Sequence, residues 1–324
     1  MGPTAVTDEL GPYRVRLARA LDNANLDDSG EVLDRLDAAG LGDGLPVVAP
    51  TPARVSGLLE GRNPEAPIGA GQLPISFAIP TWGDVATAAV LAGAQRGALP
   101  LIVAALDALA DPAFNLLGVQ TTTGAATPLL MVHGDAVARF RCHSGAGAMG
   151  AGHRSNLTIG RAVRLVLVDV GICRPGEADM ATHGHPGKLS WLVAENQPAS
   201  PWPSLSASRG GRADQAGVTV FAGVGNVEVV LPTTDAAALA DRVAQVLAGL
   251  RAPHSVLVLP PESAQFLQRH GWGRAQFDEQ LLARGVAAPL VVLSGGIGIK
   301  ATVVPGWGGP TEAVTRWVAQ DDRT

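Results

Sequence analysis

VLVLPPESAQFLQRHG, residues 256–271, decides the class of fold. Consecutive valine and leucine side chains read as a short buried strand, Ser255–Leu259, which a proline pair ends. Pro261 then opens a helix that runs to His270 and stops at Gly271. A second helix, Gln276–Arg284, leads to another apolar strand, Leu290–Leu293. Strands and helices alternating with short loops argue for an α/β fold with a largely parallel sheet. The alternation continues outward. Towards the C-terminus lie the glycine loop SGGIGIK (294–300) and a strand at Ala301–Val304; before the quoted stretch come strands at Gly217–Phe221 and Val227–Leu231 and a helix at Asp235–Leu250. Further upstream, PLLMVH (128–133) and LSWLVAEN (189–196) read as strands around the apolar helix LTIGRAVRLVLVDVG (157–171). Strands are also expected in DGLPVVAPT (43–51) and at Leu73–Ile79. The expected fold is α/β, a mixed or mostly parallel sheet flanked by helices, in two lobes. A helical arm occupies 1–40, an α/β lobe 41–205 and a second α/β lobe 206–324, with the Pro/Ser-rich Gln197–Arg212 as the boundary. PVVAPTPARVSGLLEG (46–61) repeats the strand, proline pair, helix and glycine of 256–271, so an internal duplication is one reading.

Composition narrows the function classes. With 47% hydrophobic and 16% charged residues the chain has ample material for a core. A net charge of -5 with scattered arginines gives no nucleic-acid footprint. The apolar run Ala98–Ala110 is interrupted by Asp107 and no signal-peptide core is evident, so no membrane span and a cytoplasmic location are expected. Two cysteines, Cys142 and Cys173, fit a reducing compartment and cannot form a four-cysteine zinc site; both read as structural.

The chemistry concentrates between His133 and His185, which hold five of the seven histidines, and one of the two lysines, Lys188, follows at once. HSGAGAMGAGHRSN (143–156) is a glycine-rich turn ahead of a helix, where inward backbone amides and the helix terminus favour an anion. Ser144, Gly147, Gly150, Gly152, His153, Arg154 and Asn156 are its candidate binding residues, although a purely structural turn has the same sequence. THGHPGK (182–188) sets His183 and His185 two apart, on one side of an extended segment, and turns so that Lys188 can join them. Proton transfer by a histidine with Lys188 as electrostatic partner is expected; a metal would need a third ligand that the spacing does not supply. Glu195 and Asn196 follow a strand at the end where parallel sheets open a ligand crevice. Thr122 in TTTGAAT (121–127) and Lys300 in the second glycine loop complete the candidate set.

The segments SNLTIGRA (155–162), GHPGK (184–188), AEN (194–196) and SPW (200–202) resemble a bacterial family carrying NATIGRA, GHPGK, AEN and SPW segments. GLPVVAPTPARV (44–55) matches its N-terminal segment, so the likeness runs through most of the chain. Some members of that family are associated with small proteins bearing a Sec/Cys-Gly-Ser-Cys motif. The resemblance implies no established activity. The family's extra histidines have no counterpart at 223–230 and 298–300 here, which marks this chain as divergent.

Together these residues predict an enzyme acting on a small anionic or carbonyl-containing molecule by proton-transfer chemistry of the lyase, dehydratase or cyclase type. His183, His185 and Lys188 would be catalytic, no cofactor or metal is expected, and the enzyme would work as a homo-oligomer. Two alternatives stand beside it: a half-site subunit whose thiol or selenol protein partner supplies the reactive atom, and a metal-dependent enzyme built on His183 and His185.

Overall fold

Helices come first. In the computed structural model, which describes Tyr13–Ala319, they are α1 (Tyr13–Ala20), α2 (Ser29–Ala38), α3 (Pro52–Leu59), α4 (Trp82–Leu91), α5 (Leu99–Ala110) and α6 (Leu116–Thr121). Strand β1 (Thr127–His133) follows, then α7 (Ala136–Arg139) and the central helix α8 (Arg154–Leu165), which passes into a π-turn at Val166–Val170. Next come β2 (Leu192–Ala194), α9 (Leu205–Ser208), β3 (Gly217–Gly223), β4 (Val227–Val230) and α10 (Ala236–Leu250). The chain closes with β5 (Ser255–Leu259), α11 (Pro261–Arg269), α12 (Arg274–Ala283), β6 (Leu290–Leu293), β7 (Lys300–Pro305) and β8 (Val314–Trp317). Among the described residues no single helix is long and apolar enough to cross a membrane.

The strands form two four-stranded sheets, β2-β1-β3-β8 and β4-β7-β5-β6. Both are mixed: only β1/β2 and β5/β6 are parallel, and the other neighbours are antiparallel. Strands that are apolar on both faces need cover on both. Leu130 and Val132 of β1 face the core shared with α4, α5 and α8, while Leu129 and Met131 face the other way. In β5, Leu257 and Leu259 pack under α10, α11 and α12, while Val256 and Val258 meet Leu129, Met131 and Phe221 of the first sheet. The result is four layers, helices–sheet–sheet–helices, with a third core between the sheets.

The two sheets are built alike. In each, a parallel edge pair is followed by two antiparallel neighbours, and β1-β2-β3 is matched by β5-β6-β7. The fourth strands are exchanged: β4, which follows β3, joins the second sheet, and β8, which follows β7, joins the first. The two crossings pair with each other at Gly223 and Gly306, where Val224 N donates to Pro305 O (3.0 Å) and Trp307 N to Ala222 O (2.8 Å). The likeness of strand order thus lies between 127–230 and 255–317, not between 46–61 and 256–271. A side chain at Gly306 would sit 2.7 Å from the His254 carbonyl and 2.9 Å from the Phe221 ring. Gly306→Ala is expected to lower stability by about 1–3 kcal/mol in a denaturant titration; an unchanged midpoint would contradict this crossing.

Several expectations are corrected. Residues 43–51 and 73–79 form no strand. Pro46 and Pro50 interrupt the first, whose Val48 N instead donates to Leu91 O at the end of α4 (3.2 Å). In the second, Ile75 (φ 79) and Phe77 (φ 56) adopt left-handed backbone and Leu73 N closes a turn on Ala78 O (2.9 Å). The sheets do not part at Gln197–Arg212: β3 and β8 lie beyond 206 yet extend the sheet of β1, and Trp202, Ser204, Leu205 and Ser206 are buried. Trp202, Leu205, Ser204 and Ser206 make it a packed, hydrogen-bonded connection, while Pro198, Pro201 and Pro203 stay exposed. The first twelve residues of the expected arm lie outside the described residues. The rest of the arm is fastened by Asp169 in the π-turn, whose Oδ1 accepts Gly42 N (2.9 Å) and whose carbonyl accepts from Arg16.

Candidate active site

The glycine-rich turn and HGHPGK do not share a cavity. Loop 143–152 folds on itself: Ala148 N donates to Gly145 O (3.1 Å) and Gly150 N to Gly147 O (2.8 Å), so these amides are not open to an anion. Asn156, in the first turn of α8, is the organiser of the loop. Its Oδ1 accepts His143 N (2.8 Å) and its Nδ2 donates to His143 O (2.8 Å) and Ala148 O (3.0 Å). His153, the N-cap of α8, makes no side-chain cap and stacks on His143 at 3.5 Å between ring centroids. The Ser144 carbonyl accepts Gly295 N (2.9 Å), which brings the two glycine loops together. Gly147 (φ 73) and Gly152 (φ 105) supply the left-handed turns.

Lys188 lies at the far end of the same helix. Asp179, buried, accepts Lys188 Nζ at 2.6 Å and Arg164 Nη2 at 2.9 Å, and Arg164 belongs to the last turn of α8. Burial pushes the Asp179 carboxyl up, but Lys188 and Arg164 outweigh burial and hold it below the usual range. From Arg154 to Arg164 the helix rises about 15 Å. The return after Gly171 therefore brings Lys188 to the C-terminal turn, where Asp179 fixes both cations, and touches the first turn only at Ser190, whose Oγ donates to Leu157 O (2.7 Å). His185 packs edge-on against Trp191 (4.8 Å) and its Nδ1 accepts Gly187 N (3.1 Å), while His183 is exposed. Burial and then Lys188 lower the His185 pKa, against the backbone of Ala125. Among the described residues no group of three or more His, Cys, Asp or Glu is placed to hold a metal ion. Thr122 Oγ1 accepts Gly124 N (3.1 Å) and Trp307 Nε1 (3.3 Å), and Lys300 pairs with Glu228. Both are taken up by local contacts.

Glu195 is different. At the end of β2 its N donates to Val132 O (2.8 Å), and the next amide, Asn196 N, donates across to Leu293 O of the second sheet (2.7 Å). The strand end thereby carries the carboxyl into the junction between the sheets, 3% exposed. Oε1 accepts Leu205 N (2.7 Å), and Oε2 is buried with no partner in hydrogen-bond geometry, the Gly134 amide acting on the carboxyl from outside that geometry. Burial, outweighing the amides of Leu205 and Gly134, pushes the Glu195 pKa up to about 7.

Glu195 is one of the residues that line a cavity of about 980 Å³, which opens along β6, the edge strand of the second sheet. Trp202, Leu205, Phe221 and Leu293 give it apolar walls; Arg209, Arg251, His254 and Arg274 bring positive charge or polar nitrogen, with Asp278 beside Arg274 at 2.9 Å. Arg209 is held in place, its Nε donating to Thr315 Oγ1 (2.9 Å) and its Nη2 to Ala313 O (2.6 Å).

Behind Arg209 runs a buried polar chain whose direction can be assigned. Ser206 Oγ donates to Gln215 O (2.8 Å), so it accepts from His133 Nδ1 (2.8 Å). Nε2 of the neutral ring then accepts from Thr219 Oγ1 (2.9 Å), which accepts from Thr315 Oγ1 (2.8 Å), which accepts from Arg209. Burial and then Arg209 lower the His133 pKa to about 3, consistent with a neutral imidazole in every link. His133 is therefore a positioning residue that ties β1, β3, β8 and α9 behind the cavity. Arg209, Arg251 and Arg274 escape sequence reading because they come from three separate elements and carry no shared spacing.

No family model, no curated protein and no solved structure matches this chain.

Proposed function

We propose that the protein is an enzyme for a small anionic, carbonyl-bearing molecule and that Glu195, rather than the HGHPGK segment, moves the proton. The observation that carries this reading is the Glu195 carboxyl, buried and half-satisfied beside the arginine-rich cavity, with a pKa near neutrality. An acid–base group works best when both of its forms are populated at working pH. The ionised carboxylate takes a proton from the carbon next to the substrate carbonyl. The C–X bond then breaks, and the same carboxyl returns its proton to the departing X. Arg251 and Arg209 hold the substrate anion and the negative charge that develops on the carbonyl oxygen. The lyase or dehydratase class expected from the sequence is kept, with its proton carrier moved.

The test is a panel of short carboxylic and 2-oxo acids, followed by NMR in heavy water. Compounds that raise the melting temperature should exchange the hydrogen next to their carbonyl for deuterium with the wild-type protein. Exchange should fall at least about a hundredfold in Glu195→Gln, the usual contribution of a general base. Ligand stabilisation should weaken in Arg251→Met. Exchange that persists in Glu195→Gln, or a panel in which no compound stabilises the protein, overturns the proposal.

A further inference from the structure

On the opposite side of the first sheet, three arginines converge without an acid among them. Arg54 of α3, Arg96 after α4 and Arg154, the first residue of α8, line a cavity of about 400 Å³ whose walls include Val48, Leu58 and Val90. Among the described residues none of the three makes an ion pair, and no Asp or Glu lines the cavity. In a chain of net charge -5 that is an unusual concentration of unbalanced charge.

All three residues are exposed, and two of the guanidinium groups are tethered. Arg54 Nη1 donates to Ala49 O (3.0 Å) and Arg154 Nε to Gly93 O (2.9 Å), which orients each fork while leaving most of its N–H donors free. Arg96 lies over Gly57 of α3, where an added side-chain carbon would stand 3.1 Å from its Nη2. Glycine at 57 thus leaves room for that guanidinium. Val48 remains 40% exposed, so part of the apolar wall stays uncovered. Helix-terminus capping accounts for one donor on Arg154 and nothing on Arg96.

We propose that this cavity is a second ligand site, separate from the Glu195 cavity, for a phosphate monoester with a small apolar body. Three planar forks suit a dianion with three equivalent oxygens, and the valine and leucine wall suits the attached organic group. Arg154 then does bind an anion, as its sequence position suggests, but with Arg54 and Arg96 rather than with the glycine turn.

Calorimetric titration at low salt with inorganic phosphate and with phenyl phosphate tests this. Phenyl phosphate should bind with one site per chain and about tenfold more tightly than inorganic phosphate, because the ring covers the exposed apolar wall. Arg96→Met, which removes no hydrogen bond found in the protein, should weaken phenyl phosphate binding at least about tenfold while leaving the melting temperature unchanged. Gly57→Ala should weaken it as well, by displacing Arg96. Glu195→Gln should leave it intact, so failure of the Glu195 reading and failure of this site can be told apart. Absence of saturable phenyl phosphate binding, an Arg96→Met protein that binds as well as wild type, or binding confined to a single-stranded oligonucleotide would each overturn the proposal.

Discussion

Glu195→Gln is expected to become more stable relative to wild type as pH rises, by about 3 kcal/mol in total between pH 4.5 and a pH above 7. The sign follows from the direction of the shift. Below pH 4.5 the carboxyl is protonated in folded and unfolded chains alike and contributes nothing. Between 4.5 and about 7 the unfolded chain ionises while burial keeps the folded carboxyl neutral, so wild type loses stability with each step in pH. The amide cannot ionise and loses nothing. Its Oε1 can still accept Leu205 N, so the fold survives and the comparison is fair. Urea titrations of both proteins across this range measure the difference. A difference that does not change with pH would mean an ordinary carboxyl, and the acid–base role would fall with it.

The second large effect belongs to His133. His133→Ala leaves Ser206 and Thr219 as buried hydroxyls without their imidazole partner and empties the ring's volume, so a loss of about 3–5 kcal/mol is expected. The wild-type ring also has a pH signature opposite to that of Glu195. Its folded pKa of about 3 lies below the ordinary 6.5, so the stability it contributes is present above pH 6.5 and is lost as pH falls towards 3. Between pH 4.5 and 6.5 one proton is gained by the unfolded chain at His133 and one is kept by the folded chain at Glu195. Their slopes cancel there, and removing either residue exposes the other. Asp169, raised by burial to about 6 despite Gly42 and the nearby arginines, adds to the Glu195 side of the balance. A His133→Ala protein with unchanged stability and an unchanged pH profile would contradict the assigned hydrogen-bond chain.

The α/β class was legible because buried strands such as VLVL and PLLMVH are short apolar runs bounded by proline and glycine. Their neighbours in the sheets were not. Local pattern says nothing about the exchange of β4 and β8, which rests on two hydrogen bonds across Gly223 and Gly306. Residues 43–51 and 73–79 look like strands by composition, yet their prolines and left-handed residues deny them a ladder. At the candidate site, Glu195 draws notice in the sequence from its place after a strand, as a substrate-binding candidate. Its cationic surroundings were not legible, because Arg209, Arg251 and Arg274 reach the cavity only through tertiary folding. The HGHPGK segment drew the reading towards histidine and lysine because those residues are rare and clustered. In the folded chain Asp179 pairs with both Lys188 and Arg164, and Gly187 N takes Nδ1 of His185, whose Nε2 is buried without a hydrogen-bond partner. The glycine turn was legible as a turn, and two of its amides, Ala148 and Gly150, close on its own carbonyls.

The central claim is that one buried carboxyl, Glu195 beside the arginine-rich cavity, changes protonation near neutral pH. The infrared difference between wild type and Glu195→Gln isolates the C=O stretch of that carboxyl. A protonated-carboxyl band present at about pH 6, half lost near 7 and absent by about pH 8.5 is the predicted result. A spectrum that shows only carboxylate at about pH 6 would contradict it.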